Sequence, residues 1–340
     1  MNLPELLQLS GSYWNVCTLH AGVKLDIFTH LDNKPLAVPE LSRIISADER
    51  GLDMLLHALT AMELLEKKDG FFRSTSSSCT YLSKNSDSYM GHIIMHHHHL
   101  VEGWSRLDEA VKTGVPVRSR SSHKADDVER GSFLMGMFNL ASILAPRVAA
   151  NIDLKDRRRL LDLAGGPGTY AIHFCMQNPE LEAVIFDLPT TRPFAEQTVN
   201  RFGLSKQVSF TAGDINSDDP GTGYDVVWIS HLLHSEGFES SAAIIIKAAN
   251  ALNTGGLLMI QEFILDDSKT DPLFPALFSL NMLIGTPSGR SYSQNELASM
   301  MSDAGLTDRR RLQIDLPNGA GIMAGVVNKD EPLRSIPVVE

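Results

Sequence analysis

Leu160-Leu161-Asp162-Leu163-Ala164-Gly165-Gly166-Pro167-Gly168-Thr169-Tyr170 carries an apolar run into a cluster of three glycines and a proline. The run reads as a buried parallel strand, and Tyr170, Ala171, Phe174 and Cys175 after it recur at helical spacing. Glycines this dense at a strand-to-helix turn let the backbone bend sharply and approach another molecule closely. The result is a nucleotide-sized crevice at the carboxyl end of a strand. Taken alone the loop fits two cofactors, because Gly166-Pro167-Gly168-Thr169-Tyr170-Ala171 also satisfies the G-x-G-x-x-A dinucleotide pattern. A nicotinamide-dependent oxidoreductase is therefore one reading.

Downstream of the loop, strands and helices alternate. Helices are predicted over 169–177, 191–201, 239–252 and 293–304, and strands over 160–163, 182–186, 208–212, 226–229 and 256–263, with two last strands near 310–315 and 321–327. That order implies a doubly wound parallel sheet closed by an antiparallel hairpin. Ligands bind such sheets at the carboxyl ends of the strands. Those ends carry polar residues in register: Asp187 after the second strand, Gly213-Asp214 after the third, and Ser230-His231 after the fourth. A carboxylate at Asp187 is spaced from the glycines as one that accepts hydrogen bonds from ribose hydroxyls.

The 340 residues suit two units with separate cores. A net charge of -11, spread along the chain, argues against a nucleic-acid or anionic-membrane surface. Cys17, Cys79 and Cys175 are too few and too scattered for a disulfide framework or a cysteine zinc site. No run of about eighteen apolar residues is found, and Met1 to Ser10 lacks the layout of a signal peptide. These features point to a cytoplasmic protein.

Residues 4 to 30 read as a helix that is apolar nearly all round, which calls for cover by a partner subunit. Helical signals at Val38–Ile45 and Gly51–Leu65 and a hairpin over 66–73, with Asp69-Gly70 at its turn, follow the plan of a winged helix. Its basic residues are offset by acidic ones, so it lacks the positive face a DNA reader needs. Of the histidines His96 to His99, His96 and His99 share a helix face, but no carboxylate or cysteine nearby completes a metal set; lining a ligand is the reading preferred for one or two of them. A polar loop spans 118 to 124. Phe133 to Ala150 reads as a helix whose Met135 and Phe138 belong to a core or roof a ligand site.

Five motifs together resemble the small-molecule O-methyltransferases that use S-adenosylmethionine, the class of plant caffeate and hydroxyindole enzymes and bacterial relatives. They are the glycine loop with Asp162, Phe186-Asp187-Leu188-Pro189, Ala212-Gly213-Asp214-Ile215, His231-Leu232-Leu233-His234, and Gly255 through Glu262. The resemblance implies a class I methyltransferase fold, α/β and Rossmann-like with a seven-stranded sheet, preceded by an all-α, winged-helix-like dimerisation domain. It divides the chain into a dimerisation domain over 1–105, a helical linker over 106–150 that contributes to the substrate pocket, a cofactor-binding catalytic domain over 151–330 and a tail over 331–340.

The resemblance further implies that Gly165, Gly166 and Gly168 surround the methionine end of S-adenosylmethionine, that Asp187 with Leu188 holds the ribose, that Asp214 and Ile215 flank the adenine, and that Ser230 lines the same site. S-adenosylhomocysteine is the product. His234 matches the general base that takes the acceptor's hydroxyl proton, with Glu262 as its orienting carboxylate, and His231 is read as structural. His99, Met135, Phe138, Met282 and Thr286 are candidate substrate contacts, and no resident metal is implied. The partners implied are a small, aromatic or polycyclic acceptor and a second copy of the chain. Two departures stand out: Ser235-Glu236-Gly237 follows the histidine in place of Asp-Trp, and Ser291 occupies the place of a second glutamate. Carbon methylation, a non-methylating reaction and a ligand-binding regulator are the competing readings.

Overall fold

The computed structural model describes residues 1–119 and 127–328, which form two compact units. The first comprises Met1–Val101 with Asp127–Asn139, and the second comprises Glu102–Asp126 with Leu140–Glu340. The helix Asp127–Ala150 is thus divided between them. Part of the 118–124 loop and the whole 331–340 tail lie outside the described residues.

In the first unit, the helical pattern expected over 4–30 is broken into Leu3–Gly11, Tyr13–Lys24 and Ile27–His30. The second break falls at Asp26, whose backbone turns left-handed at φ 58. Its side chain is fixed there by the Thr29 hydroxyl at 2.6 Å and the sequence-distant Lys84 ammonium at 3.0 Å, and the local bond to Thr29 competes with a continuing helix. Strand β1 (Leu36–Ala37), helices Val38–Ile45 and Glu49–Ala61, and the hairpin of β2 (Leu65–Lys68) and β3 (Phe71–Ser74) complete the winged-helix plan. Asp69 and Gly70 turn that hairpin with positive φ at both residues, the two-residue geometry that matches strand twist. Because β1 joins the hairpin in a three-stranded sheet, the domain is helical but not all-α. Ile27, Phe28, Leu31, Leu41, Leu56, Leu59 and Phe72 form its core, each contributing roughly 1.5–3 kcal/mol by burial.

The second unit is built on β4 (Arg159–Leu163), β5 (Glu182–Asp187), β6 (Val208–Ala212), β7 (Tyr224–Ser230), β8 (Leu252–Leu265), β9 (Tyr292–Ser293), β10 (Leu306–Arg311) and β11 (Ala320–Val327). The order β10-β11-β8-β7-β4-β5-β6 gives the seven strands, with β9 added beside β8. Strands β4 to β8 are parallel, and β11 runs antiparallel between β8 and β10. Of the closing strands, β10 begins four residues earlier than the sequence suggests and β11 one residue earlier. Strands β4 and β7 are buried along nearly their whole length, as expected where helices cover both faces.

A helix beside the site escapes the sequence reading. Leu273–Gly285 is apolar nearly throughout, so it offers no polar face to reveal a 3.6-residue period, and Pro275 sits in its first turn. A second correction concerns Val128–Ala150, which by length and composition alone is apolar enough to cross a membrane. Few charges interrupt it, and its glycines, Asn139 and Ser142 do not break the helix. Ala145, Val148 and Ala149 from its second half pack in the core of the second unit.

Candidate active site

The glycine loop is shaped by the residue it leaves behind. Asp162, on β4, is 1% exposed and accepts the Ala171 N–H at 3.2 Å. A Cβ at Gly165 would lie 2.5 Å from the Asp162 carboxyl carbon, so that position admits no side chain. Gly168 has φ 77, and a Cβ there would run into Ile185 of β5. Burial pushes the Asp162 carboxyl up to about 7; the Ala171 hydrogen bond works the other way and the nearby Asp187 adds to the rise.

At the next strand end, Asp187 is tied into the same loop. Its Oδ2 accepts the Gly166 N–H at 2.8 Å, and its Oδ1 accepts the Leu188 N–H at 2.7 Å and the Thr191 hydroxyl at 2.9 Å. The Asp187 carbonyl in turn accepts the Gly213 N–H at 2.9 Å, which brings Asp214 and Ile215 alongside. Lys247 fixes that turn by donating to the carbonyls of Ile215 at 2.5 Å and Asp218 at 2.8 Å. Ser230 ends β7 opposite Gln261 of β8. Gly165, Gly166, Gly168, Asp187, Leu188, Asp214, Ile215 and Ser230 thus converge on one edge of the sheet. A floor without side chains, beside a half-buried carboxylate, fits the amino-acid and ribose portions of an adenosyl cofactor.

Beyond β7, the chain makes a single 3-10 turn, Leu233–Ser235, which the Ser241 hydroxyl anchors through the Leu233 carbonyl at 3.1 Å. The turn aims His234 at the neighbouring strand. His234 Nδ1 lies 2.7 Å from Glu262 Oε2, and the His234 N–H reaches Glu262 Oε1 at 3.3 Å. Glu262 is 1% exposed. Burial alone would push its carboxyl up, but the imidazoles of His234 and His231 outweigh that and hold it well below the usual carboxylate range. With Nδ1–H donated to the carboxylate, Nε2 of His234 carries the lone pair.

An aromatic wall adjoins the imidazole. The Phe278 ring meets His234 edge-on at 4.8 Å, and Phe263 packs on both Phe278 and Phe274 at 4.8 Å. The sequence reading missed these three rings, two of which lie on the unforeseen helix Leu273–Gly285. Met282, on that helix, is buried, and the Thr286 hydroxyl is spent on the Met282 carbonyl at 2.9 Å and the Gly289 N–H at 2.9 Å. Ser291 donates to the Pro275 carbonyl at 2.9 Å. In the first unit, Phe138 is buried, Met135 half-buried, and the Nδ1 of half-buried His99 has no hydrogen-bond partner. Among the described residues, one cluster has three converging metal-donor atoms, on His231, His234 and Glu262, all within 4.8 Å. The His234–Glu262 hydrogen bond already occupies two of those donors.

Residues 104–307 match the O-methyltransferase domain and residues 7–84 the O-methyltransferase dimerisation domain. The chain is 32% identical to 3-hydroxy-5-methyl-1-naphthoate 3-O-methyltransferase of Streptomyces sahachiroi, over 95% of each chain. It is 31% identical to the tetracenomycin polyketide synthesis 8-O-methyl transferase TcmO of Streptomyces glaucescens, over 94% of this chain and 95% of that one. An O-methyltransferase family protein from Burkholderia thailandensis superposes with a TM-score of 0.87 at 28% identity, covering 96% of this chain and 98% of that one. PigF, solved with S-adenosylhomocysteine, superposes at 0.86 with 22% identity over 96% of this chain and 100% of its own. The glycine loop, the strand-end carboxylates and these matches over nearly the whole chain agree: it belongs to the S-adenosylmethionine-dependent O-methyltransferase family.

Proposed function

We propose that the protein transfers the methyl group of S-adenosylmethionine to a hydroxyl of a small aromatic or polycyclic acceptor, with His234 as general base and Glu262 as its orienting carboxylate. The observation that carries this reading is the 2.7 Å contact between His234 Nδ1 and Glu262 Oε2 at the strand edge where the cofactor loops meet. The bound cofactor supplies an already activated methyl on its sulfonium. What the chain's own residues must add is a deprotonated acceptor held in line. Nε2 of His234 takes the hydroxyl proton, and the ionised Glu262 stabilises the imidazolium that forms. Phe263, Phe274 and Phe278 offer flat apolar faces to an aromatic ring. The two Streptomyces relatives, named for naphthoate and tetracenomycin methylation, support an acceptor of this class.

The N-terminal helices present Leu3, Leu6, Leu7, Leu9, Tyr13, Trp14 and Val16 to solvent. An apolar face of that extent on a dimerisation domain is assigned to a second copy of the chain. The free thiols of Cys17, Cys79 and Cys175 suit a reducing, cytoplasmic setting.

The test is His234→Ala. Turnover should fall by at least about a hundredfold, the scale of general-base catalysis, while S-adenosylhomocysteine affinity stays within a few-fold. Equal loss of both would remove the base assignment, and recovery of methyl-labelled product with the label on carbon would overturn oxygen transfer.

A further inference from the structure

The sequence marks His231 as a structural histidine, yet its surroundings join it to the reacting pair. It sits one residue past β7 with a left-handed backbone at φ 52, a conformation strained for any residue with a Cβ. Three contacts hold it there. Its N–H donates to the Gln261 carbonyl at 2.9 Å, its Nε2 lies 3.1 Å from the Gln261 side-chain amide, and its ring packs on Phe263 at 4.4 Å. The remaining nitrogen, Nδ1, is buried and lies 3.7 Å from Glu262 Oε2, too long for a hydrogen bond but well within ion-pair range. That same oxygen is the one bound by His234. Glu262 therefore stands between two imidazoles whose centroids are 5.9 Å apart. Ser291, where a second carboxylate would serve the base, is instead bonded to Pro275 and Ser279. Nearby ionisable groups include Glu236, which caps the turn that carries His234, and Tyr292 of β9, whose hydroxyl donates to the Glu236 carbonyl and on whose ring Arg290 stacks.

We propose that His231 is a positioning residue that shares Glu262 with His234, so that one carboxylate serves two histidines and less of its charge falls on the reacting imidazole. The inference rests on His234 being the base. Its sign does not depend on the charge of His231. A neutral ring offering Nδ1–H and a protonated ring both draw the negative charge of Glu262 away from His234. Either makes the His234 imidazolium less favourable, and removing His231 leaves the whole carboxylate to His234.

His231→Asn tests this, because asparagine tolerates the left-handed backbone but is too short to reach Glu262. The acid limb of the kcat profile should move to higher pH by about half a unit to one unit, with S-adenosylhomocysteine affinity by calorimetry unchanged. His231→Gln, whose amide can reach the carboxylate, should return the limb part of the way. A His231→Asn profile that superimposes on wild type, or a lowered Tm with the limb unmoved, would overturn the proposal and leave His231 as filler. If His234→Ala keeps wild-type turnover, the base reading itself fails, a result distinguishable because it requires no change at His231.

Discussion

Glu262 and His234 meet at 2.7 Å with the carboxylate wholly enclosed, which makes the hydrogen-bonded pair expensive to half-remove. Replacing Glu262 by glutamine keeps the volume and one acceptor oxygen but loses the charge that favours the imidazolium. Glu262→Gln should lower kcat by about 10–100-fold, the usual effect of deleting a histidine's carboxylate partner, with little change in S-adenosylhomocysteine affinity. Glu262→Ala, which leaves a buried imidazole N–H without its acceptor, should also destabilise the fold by about 1–3 kcal/mol. Steady-state kinetics with thermal melts would separate the two effects.

Asp162 lies on β4, with β7 between it and β8, and has the opposite electrostatics. Its carboxyl is pushed from 3.8 to about 7 by burial, so the folded state holds a proton that the unfolded chain releases above about pH 4. Stability contributed at low pH is therefore lost as pH rises from about 4 to 7, and is flat above that. Asp162→Asn, which has no such cost and can still accept the Ala171 N–H, should gain on wild type progressively across this window. The gain should reach a few kcal/mol at pH 8, from about 1.4 kcal/mol per pH unit. Paired melts from pH 4 to pH 8 read it directly, and a constant difference between the two proteins would contradict it.

The difference between these two carboxylates also separates what the sequence reveals from what it hides. The glycine loop and the strand-end residues Asp187 and Asp214 are legible because each answers a local demand: a turn with no room for Cβ, or an acceptor at the end of an apolar run. Glu262 is legible as an acid misplaced in an apolar strand, which needs a partner. Phe274 and Phe278 are not legible, because Leu273–Gly285 is apolar nearly throughout and shows no amphipathic period. The division of Asp127–Ala150 between the two units leaves no mark either, since the composition of that helix does not change where the units meet. Such features are decided by packing partners far away in the chain.

In the first unit, pH should act through His20. It is 4% exposed on the helix Tyr13–Lys24, its ring 5.5 Å from that of His98, and Lys24 lies 3.2 Å from His98 Nε2. Burial first, then His98 and His97, lowers His20 from 6.5 to about 4. A histidine held neutral in the folded state contributes stability that is complete above about pH 6.5 and lost as pH falls towards 4. The Tm of wild type should drop across that interval. His20→Leu, which cannot be protonated, should flatten the drop while changing the Tm at pH 7.5 only modestly. An equally steep fall in the variant would assign the acid sensitivity elsewhere.

The exposed N-terminal face makes the last prediction. No residue of Leu3–Gly11 is buried, and Leu7 and Trp14 are 63% and 67% exposed. Apolar surface left in water gains about 25 cal/mol for each Å² covered, so pairing of two such faces can outweigh the entropy of association, whereas one charge placed on each copy is doubled across a two-fold interface. Leu7→Glu with Trp14→Glu should therefore convert a dimer into a monomer in sedimentation at micromolar concentration. Neither side chain belongs to the core formed by Phe28, Leu56 and Phe72, so the melt of the first unit should keep its cooperativity. If the double variant sediments as wild type does, the helices Leu3–Gly11 and Tyr13–Lys24 are not where two copies meet.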